Sequence, residues 1–396
     1  MRWASALSLE EDLERAVDEA GASLRGSLNG ERPDLAVVFV SQQHADVYDR
    51  VPGWVRGATG AGLVIGCSAG GVIGAGSEIE NRPAISVTAA TLPDVELSPF
   101  HVENDALPPA GSGLEAWERL VRVSADSGPH FLLLADPFSF DAEAFLAGLD
   151  GAFPSGKKIG GLASGARAPA ANALFLGASS YRAGLVGVAL HGNIEIDTVV
   201  AQGCRPIGDP MFVTKCQRNM LAELDGRKSL DVLRDLFATL SEADRKIFRH
   251  SLFLGIVMMD HLQEYRQGDF LIRNLVGVDQ ESGTITVGAP LRENMVVQFH
   301  LRDAKTSADD LDALLARYAS SLKGEKPDGS LLFSCLGRGM HLYGTPDHDT
   351  DMFRERVGDV PLGGFFCNGE IGDVHGRSYL HGYTSSFGIF RGRPRA

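Results

Sequence analysis

The stretch Gly363-Gly364-Phe365-Phe366-Cys367-Asn368-Gly369-Glu370-Ile371-Gly372 runs from paired glycines through an apolar strand straight into an Asn-Gly-Glu-Ile-Gly turn. A strand of this kind is buried, so the turn holds an amide (Asn368) and a carboxylate (Glu370) on constrained backbone at its end. A buried carboxylate must be paired or protonated, which makes Glu370 either a ligand contact or half of an internal ion pair. Shortly after comes Leu380-His381-Gly382-Tyr383-Thr384-Ser385-Ser386-Phe387-Gly388. If that segment is one regular strand, His381 and Thr384 point to opposite faces and need not share a site; a bulge at Gly382 would change that. For His381 the alternatives are a ligand contact and a satisfied core histidine.

Two earlier stretches have the same character. Ile65-Gly66-Cys67-Ser68-Ala69-Gly70-Gly71-Val72-Ile73-Gly74 follows an apolar strand and fits the Gly-x-Ser-x-Gly elbow, with Ser68 as the nucleophile. An elbow must launch a helix, however, and Gly70, Gly71, Gly74 and Gly76 disfavour one. Three readings stay open: a tight strand-to-strand connection, a ligand site lined by backbone N–H groups and the Ser68 hydroxyl, and a serine or cysteine hydrolase. Gly160-Gly161-Leu162-Ala163-Ser164-Gly165 again offers backbone donors, with a hydroxyl at Ser164; a plain turn is the alternative.

Charged candidates lie at other strand ends. Asp136 follows the apolar run 131–135 and could meet a ligand ammonium or cap the next helix, for which Asp141 is the better residue. Arg338, between Gly337 and Gly339, is placed to approach a carboxylate bidentately; a structural salt bridge, with Glu370 as partner, is the alternative. Asp347-His348-Asp349-Thr350-Asp351 is dense enough to suggest a metal, but it stands just before a helical segment, where acidic residues and Thr favour the helix start, and capping is preferred.

A chain of 396 residues exceeds one comfortable core, so two domains are expected, 1–205 and 206–396, divided where 203–209 brings Gly, Pro and Gly together. The apolar fraction of 44% and charged fraction of 22% are those of a globular protein. A net charge of -14 opposes binding to nucleic acid; the most basic stretch, 391–395, is only a tail. The five cysteines form no close pair in sequence, no Cys-x-x-Cys and no zinc-ribbon spacing, which suggests reduced thiols in the cytoplasm and no structural zinc. Residues Glu10, Glu11 and Asp12 stand where a secretory signal needs an apolar core, and no apolar run reaches the ~20 residues of a membrane span, so no membrane association is expected. With neither a P-loop nor a Gly-x-Gly-x-x-Gly fingerprint, no cofactor is expected.

Apolar spacing at Leu13, Ala16, Val17, Ala20 and Leu24 predicts a helix capped by Ser8 with Glu11. Continuous apolar runs over 35–40, 63–66 and 131–135 predict buried strands, and short strands separated by turns follow from 174. No exact repeat is visible. The class is α/β to α+β, in two layered domains of sheets and helices.

The glycine-rich stretches, the Cys-x-Gly-Arg-Gly segment and the Leu-His-Gly-Tyr-Thr motif together resemble the FIST family, N-terminal and C-terminal domains both, over most of the chain. That resemblance implies a sensory, small-ligand-binding module of the kind found in bacterial signalling proteins and behind an F-box in a eukaryotic ubiquitin-ligase subunit. The implied ligand is amino-acid-like and is held without being transformed. Gly66, Cys67, Ser68, Gly70, Gly71, Asp136, Ser164, Arg338, Asn368, Glu370, His381 and Thr384 are the expected ligand-binding residues. Arg338 or the amides of 66–71 suit a carboxylate, and Glu370 or Asp136 an ammonium. No F-box, kinase, methyl-acceptor or cyclase segment is visible, so the signal is expected to pass to a separate partner.

Overall fold

A computed structural model describes residues 1–109, 111–259 and 264–393 of the chain; the last two residues of the basic stretch 391–395 lie outside these. The protein is α+β and divides into two compact units. The first comprises Met1–Val200, Asp312–Leu380 and Thr384–Ala396; the second comprises Ala201–Leu311 with His381–Tyr383.

The first unit holds three six-stranded sheets, each built around one parallel pair: Leu35–Ser41 with Leu63–Ala69, His130–Ala135 with Lys158–Leu162, and Gly329–Cys335 with Leu362–Cys367. Each pair belongs to a module with the same chain order of strand, helix, strand, helix, strand, hairpin and strand. The hairpin does not stay at home. Gly71–Gly74 of the first module pairs with the third module's Leu362–Cys367, Leu174–Leu176 of the second with the first's Leu63–Ala69, and Glu370–Val374 of the third with the second's Lys158–Leu162. The repeat extends to single bonds: Ser41, Asp136 and Cys335 N–H donate to Ala84, Gly184 and Thr384 O at 3.0, 2.9 and 2.9 Å.

Alternation along the central strands explains the layering. Leu35, Val37 and Phe39 join Leu132, Leu134, Leu331, Phe333 and Phe365 in one core shared by all three sheets. The intervening Ala36, Val38 and Val40 pack under helices Leu13–Ser27 and Val51–Thr59, and Phe131 and Leu133 under Leu114–Val121 and Ala142–Ala152. Phe39 stacks on Phe365 across two sheets at 4.5 Å. Each such buried side chain contributes roughly 1.5–3 kcal/mol of transfer free energy.

The second unit is an antiparallel barrel of six strands, in the order Cys204–Gln217, Val296–Arg302, Leu252–Val257, Phe270–Asp279, Thr284–Val287 and Met220–Leu224, closed by pairing of the first with the last. Residues 203–209, expected to break the chain's pattern, open a long strand whose register shifts between Ile207 and Met211 at Gly208 and Pro210. The strand is kept, and the Gly and Pro are absorbed by a bulge. The first helix is capped by Asp12, which accepts from Arg15 N–H at 3.0 Å; Ser8 ends the preceding strand instead. No helix among the described residues is long and apolar enough to cross a membrane.

Gly66, Gly160 and Gly364 occupy one repeated position beside Val38, Leu133 and Leu332, where an added Cβ would lie 1.9, 1.8 and 1.9 Å from the neighbouring strand's carbonyl oxygen. Alanine at any of the three should therefore destabilise by more than about 3 kcal/mol through overpacking and backbone displacement. Gly26→Ala, in open space on helix Leu13–Ser27, should stabilise by about 0.5–1 kcal/mol. Chemical denaturation of the four variants checks the contrast.

Candidate functional site

The polar side chains of the first unit gather at the C-terminal ends of the parallel pairs. Gly70, Ser164 and Asn368 stand four residues beyond the repeated glycines, and loops from all three modules meet there. Gly70 N–H donates to Ser164 Oγ at 2.9 Å, the Ser164 hydroxyl donates to Phe366 O, and Asn368 Nδ2 donates to Ala163 O at 3.2 Å. Asn368 is exposed, whereas Ser164 is buried.

Ser68 and Asp136 belong to one buried network. The Ser68 hydroxyl donates to Asn172 Oδ1 at 3.2 Å and accepts from Ala173 N–H at 3.0 Å, and Asn172 Nδ2 donates to Asp136 Oδ1 at 3.0 Å. Asp136 Oδ2 accepts from the Ser139 hydroxyl at 2.6 Å, while Asp141 caps the next helix, accepting from Ala144 N–H at 2.9 Å. Gly66 and Cys67 lie inside strand Leu63–Ala69, and only Gly70 separates it from strand Gly71–Gly74. The loop is thus a strand-to-strand connection that launches no helix. Burial pushes the Cys67 thiol well up.

Arg338 is fully buried and pairs with Asp349 rather than with Glu370. Its Nε and Nη2 donate to Asp349 Oδ2 and Oδ1 at 2.8 and 3.1 Å, and Nη2 also donates to Tyr343 Oη. The salt-bridge alternative read from the sequence named Glu370 as the partner; helix His348–Val357 instead brings Asp349 to the end of strand Gly329–Cys335, where Ser385 also donates to it. Arg338 Nη1 has no hydrogen-bond partner among the described residues. Tyr343, half-buried, stacks on His348 at 3.5 Å and lies against the guanidinium, 5.5 Å from ring centre to Cζ.

Glu78, which the sequence did not single out, completes this cluster. Its Oε1 accepts from Thr350 N–H at 2.9 Å, and its own N–H donates to Asp347 Oδ1 at 2.6 Å. Asp347 stands at the start of helix His348–Val357 but makes no side-chain cap bond, since its carboxylate is taken by Glu78. Burial, reinforced by the Asp349 charge, raises the Glu78 carboxyl to about 8. Burial also acts to raise Asp349, but the Arg338 charge and the bonds from His348, Arg338 and Ser385 outweigh it and hold Asp349 well below the usual carboxylate range. The pair therefore shares one negative charge, on Asp349. Among the described residues no group of His, Cys, Asp and Glu is arranged to hold a metal ion.

Glu370 is buried, and its Oε2 accepts from Thr384 N–H at 3.1 Å and from the Thr384 hydroxyl at 2.8 Å. His381 and Thr384 do not share a strand: Arg377–His381 ends at the histidine and Ser385–Arg391 begins after the threonine, with Tyr383 between them at φ 68°. His381 is buried and groups with the second unit, Thr384 with the first. Gly71 packs against Phe366, where an added Cβ would lie 2.8 Å from the ring.

The three-sheet unit and the barrel, with these motif residues at the strand ends, define a FIST-type protein. The FIST N domain matches residues 34–227 and the FIST C domain residues 229–373, and the chain belongs to the FIST family. It is 37% identical over 390 residues to the uncharacterized protein Rv0628c of Mycobacterium tuberculosis (strain ATCC 25618 / H37Rv), covering 98% of this chain and 100% of that one. It is 25% identical over 201 residues to the F-box/LRR-repeat protein At5g63520 of Arabidopsis thaliana, covering 44% and 36% of the two chains. A cyanuric acid hydrolase structure from A. caulinodans aligns at TM-score 0.34 and 8% identity over 99% of this chain and 100% of that one, a likeness too weak to carry any inference. FIST domains are generally regarded as sensory, ligand-binding modules of signal transduction.

A carboxyl raised by folding binds its proton more tightly in the native state, so its stabilisation is full below the unfolded value near 4.5 and is lost as pH rises through about 8. Asp349 acts only at lower pH, below its ordinary range. Thermal unfolding of the wild type should therefore show stability falling between pH 5 and 8 by roughly 2–4 kcal/mol from this group. Glu78→Gln, which keeps the acceptor for Thr350, should flatten that fall.

Proposed function

We propose that this chain is a cytoplasmic sensory protein that holds a small carboxylate-bearing metabolite of the amino-acid class, without transforming it, and signals through a separate protein. The observation that carries this reading is Arg338: a fully buried guanidinium with two of its nitrogens committed to Asp349 and Tyr343, and Nη1 without a partner among the described residues. A buried donor left unmatched is destabilising by about 1–3 kcal/mol, and a ligand carboxylate arriving through the half-buried Tyr343–His348 stack would remove that penalty. In this reading Asn368, exposed where the three loops meet, adds a polar contact, and Glu370 faces the ligand's ammonium. The remaining motif residues, Ser68, Asp136 and Ser164 among them, support the loops from within. The hydrolase alternative has less to support it, because the Ser68 hydroxyl is wholly buried and committed to Asn172 and Ala173.

Thermal unfolding of the purified chain against a panel of α-amino acids, α-keto acids and dicarboxylates tests the reading. A ligand at a hundred times its Kd stabilises by about 2.7 kcal/mol, which gives a saturable rise in Tm. Asn368→Ala, at an exposed position, should keep the fold and weaken the response, and Arg338→Lys should raise Kd at least about tenfold by losing the planar fork. Absence of a shift from every compound, or identical responses from wild type and both variants, would overturn the reading.

A further inference from the structure

We propose that Cys335 and Cys367 form an oxidisable dithiol that closes into an intramolecular disulfide when a peroxide reaches Cys335. The two residues are register partners on the adjacent parallel strands Gly329–Cys335 and Leu362–Cys367. Register partners on neighbouring strands point to the same face and lie about 4.8 Å apart at Cα, inside the roughly 4.4–6.8 Å range that a disulfide spans. That face is the shared core: Leu331 and Phe333 precede Cys335 on it by even steps, and Phe365 precedes Cys367. Cys335 is itself among the charges that Cys367 feels.

The two sulfurs differ in a way that orders the chemistry. Cys335 is half-buried, and its Sγ accepts from Gly337 N–H at 3.5 Å; it also lies close enough to Arg338 to act on the guanidinium. The thiolate is the nucleophile in such oxidations, and of the two sulfurs only the half-buried Cys335 is within reach of a solvent-borne oxidant. Cys367 is buried and donates its S–H to Phe365 O at 3.5 Å, and burial, helped by the Glu370 charge, keeps its thiol protonated. It packs where Gly161 leaves room, since a Cβ on that residue would lie 2.6 Å from the Cys367 sulfur. Cys335 is therefore the sulfur that meets an oxidant, and Cys367 the one that resolves it.

In the first step the Cys335 thiolate attacks one peroxide oxygen; the O–O bond breaks, Cys335 becomes a sulfenic acid and the departing oxygen leaves as water after taking a proton. In the second, the Cys367 sulfur attacks the Cys335 sulfur, the S–O bond breaks, and the leaving hydroxide takes the Cys367 proton as a second water. The pair is oxidised by two electrons and hydrogen peroxide is reduced to two waters. Cys67, also buried, acts on Cys367 more strongly than Cys335 does, but it lies on a different sheet and no strand register fixes its distance from either partner.

The test uses the full, reduced chain titrated with hydrogen peroxide, quenched, unfolded and assayed for thiols, with non-reducing peptide mapping by mass spectrometry. The expected result is loss of two of the five thiols, a single linked peptide joining Cys335 to Cys367, and full recovery with dithiothreitol. Cys335→Ser should prevent the loss, and Cys67→Ser should leave it intact. A link that includes Cys67, conversion of Cys335 to sulfinic acid without a link, or retention of all five thiols would each overturn the proposal. The wild-type map decides the matter even if a variant fails to fold.

Discussion

Every sheet of the first unit is finished at one edge by a hairpin that belongs to another module, so that Val72 pairs with Phe365, Leu174 with Cys67 and Glu370 with Gly161. An unpaired sheet edge and an uncovered inner face are both unfavourable, and no single module can satisfy either condition alone. The three modules are thus obliged to fold together. Close packing at the crossings follows, and with it the need for glycine where one strand approaches its neighbour's carbonyl. The same constraint brings the C-terminal strand ends of all three modules to one place, which gathers polar residues that are far apart in the chain.

What could be read from the sequence was whatever depends on local pattern. The apolar run 35–40 became strand Leu35–Ser41, the run 131–135 became His130–Ala135, the helical spacing from Leu13 to Leu24 became helix Leu13–Ser27, and the FIST signatures were visible as motifs. Partner choice was not readable. Asp349 and Glu370 are equally acidic in sequence, and only the packing of helix His348–Val357 against strand Gly329–Cys335 brings one of them to Arg338. Glu78 lies in an ordinary short polar strand, Ser77–Glu80, and nothing local announces that its neighbour will be a buried carboxylate.

The modular repeat is hidden in the sequence for a related reason. Gly66, Gly71, Ile73 and Gly74 correspond to Gly364, Gly369, Ile371 and Gly372, a pattern of four small or aliphatic residues that composition alone can produce in a chain with 47 glycines. Its meaning appears only in contacts. Ser86 Oγ donates to Ile73 O at 2.6 Å and Ser386 Oγ to Ile371 O at 3.1 Å, the same bond made twice by donors that lie outside the pattern. In the second module a longer loop, 163–173, precedes the hairpin and obscures the spacing further.

Repetition of the backbone with divergence of the side chains also explains why chemistry concentrates in one module. Ser41, Asp136 and Cys335 hold one structural position and make one backbone bond, and three residues further on stand His44, Ser139 and Arg338. In the first module the position holds a histidine whose burial favours the neutral ring, and in the second a serine that donates to Asp136 and accepts from Gly184 N–H. In the third it carries a guanidinium that must be neutralised in the core, and removing one partner of such a pair destabilises by about 3–5 kcal/mol. Well-packed apolar residues often stabilise a core as well as a buried ion pair does, so the pairing of Arg338 with Asp349 is weak evidence of a purely structural role. Their position beside a half-buried aromatic stack is what the proposed ligand reading draws on, and it distinguishes this end of the third sheet from the corresponding ends of the other two.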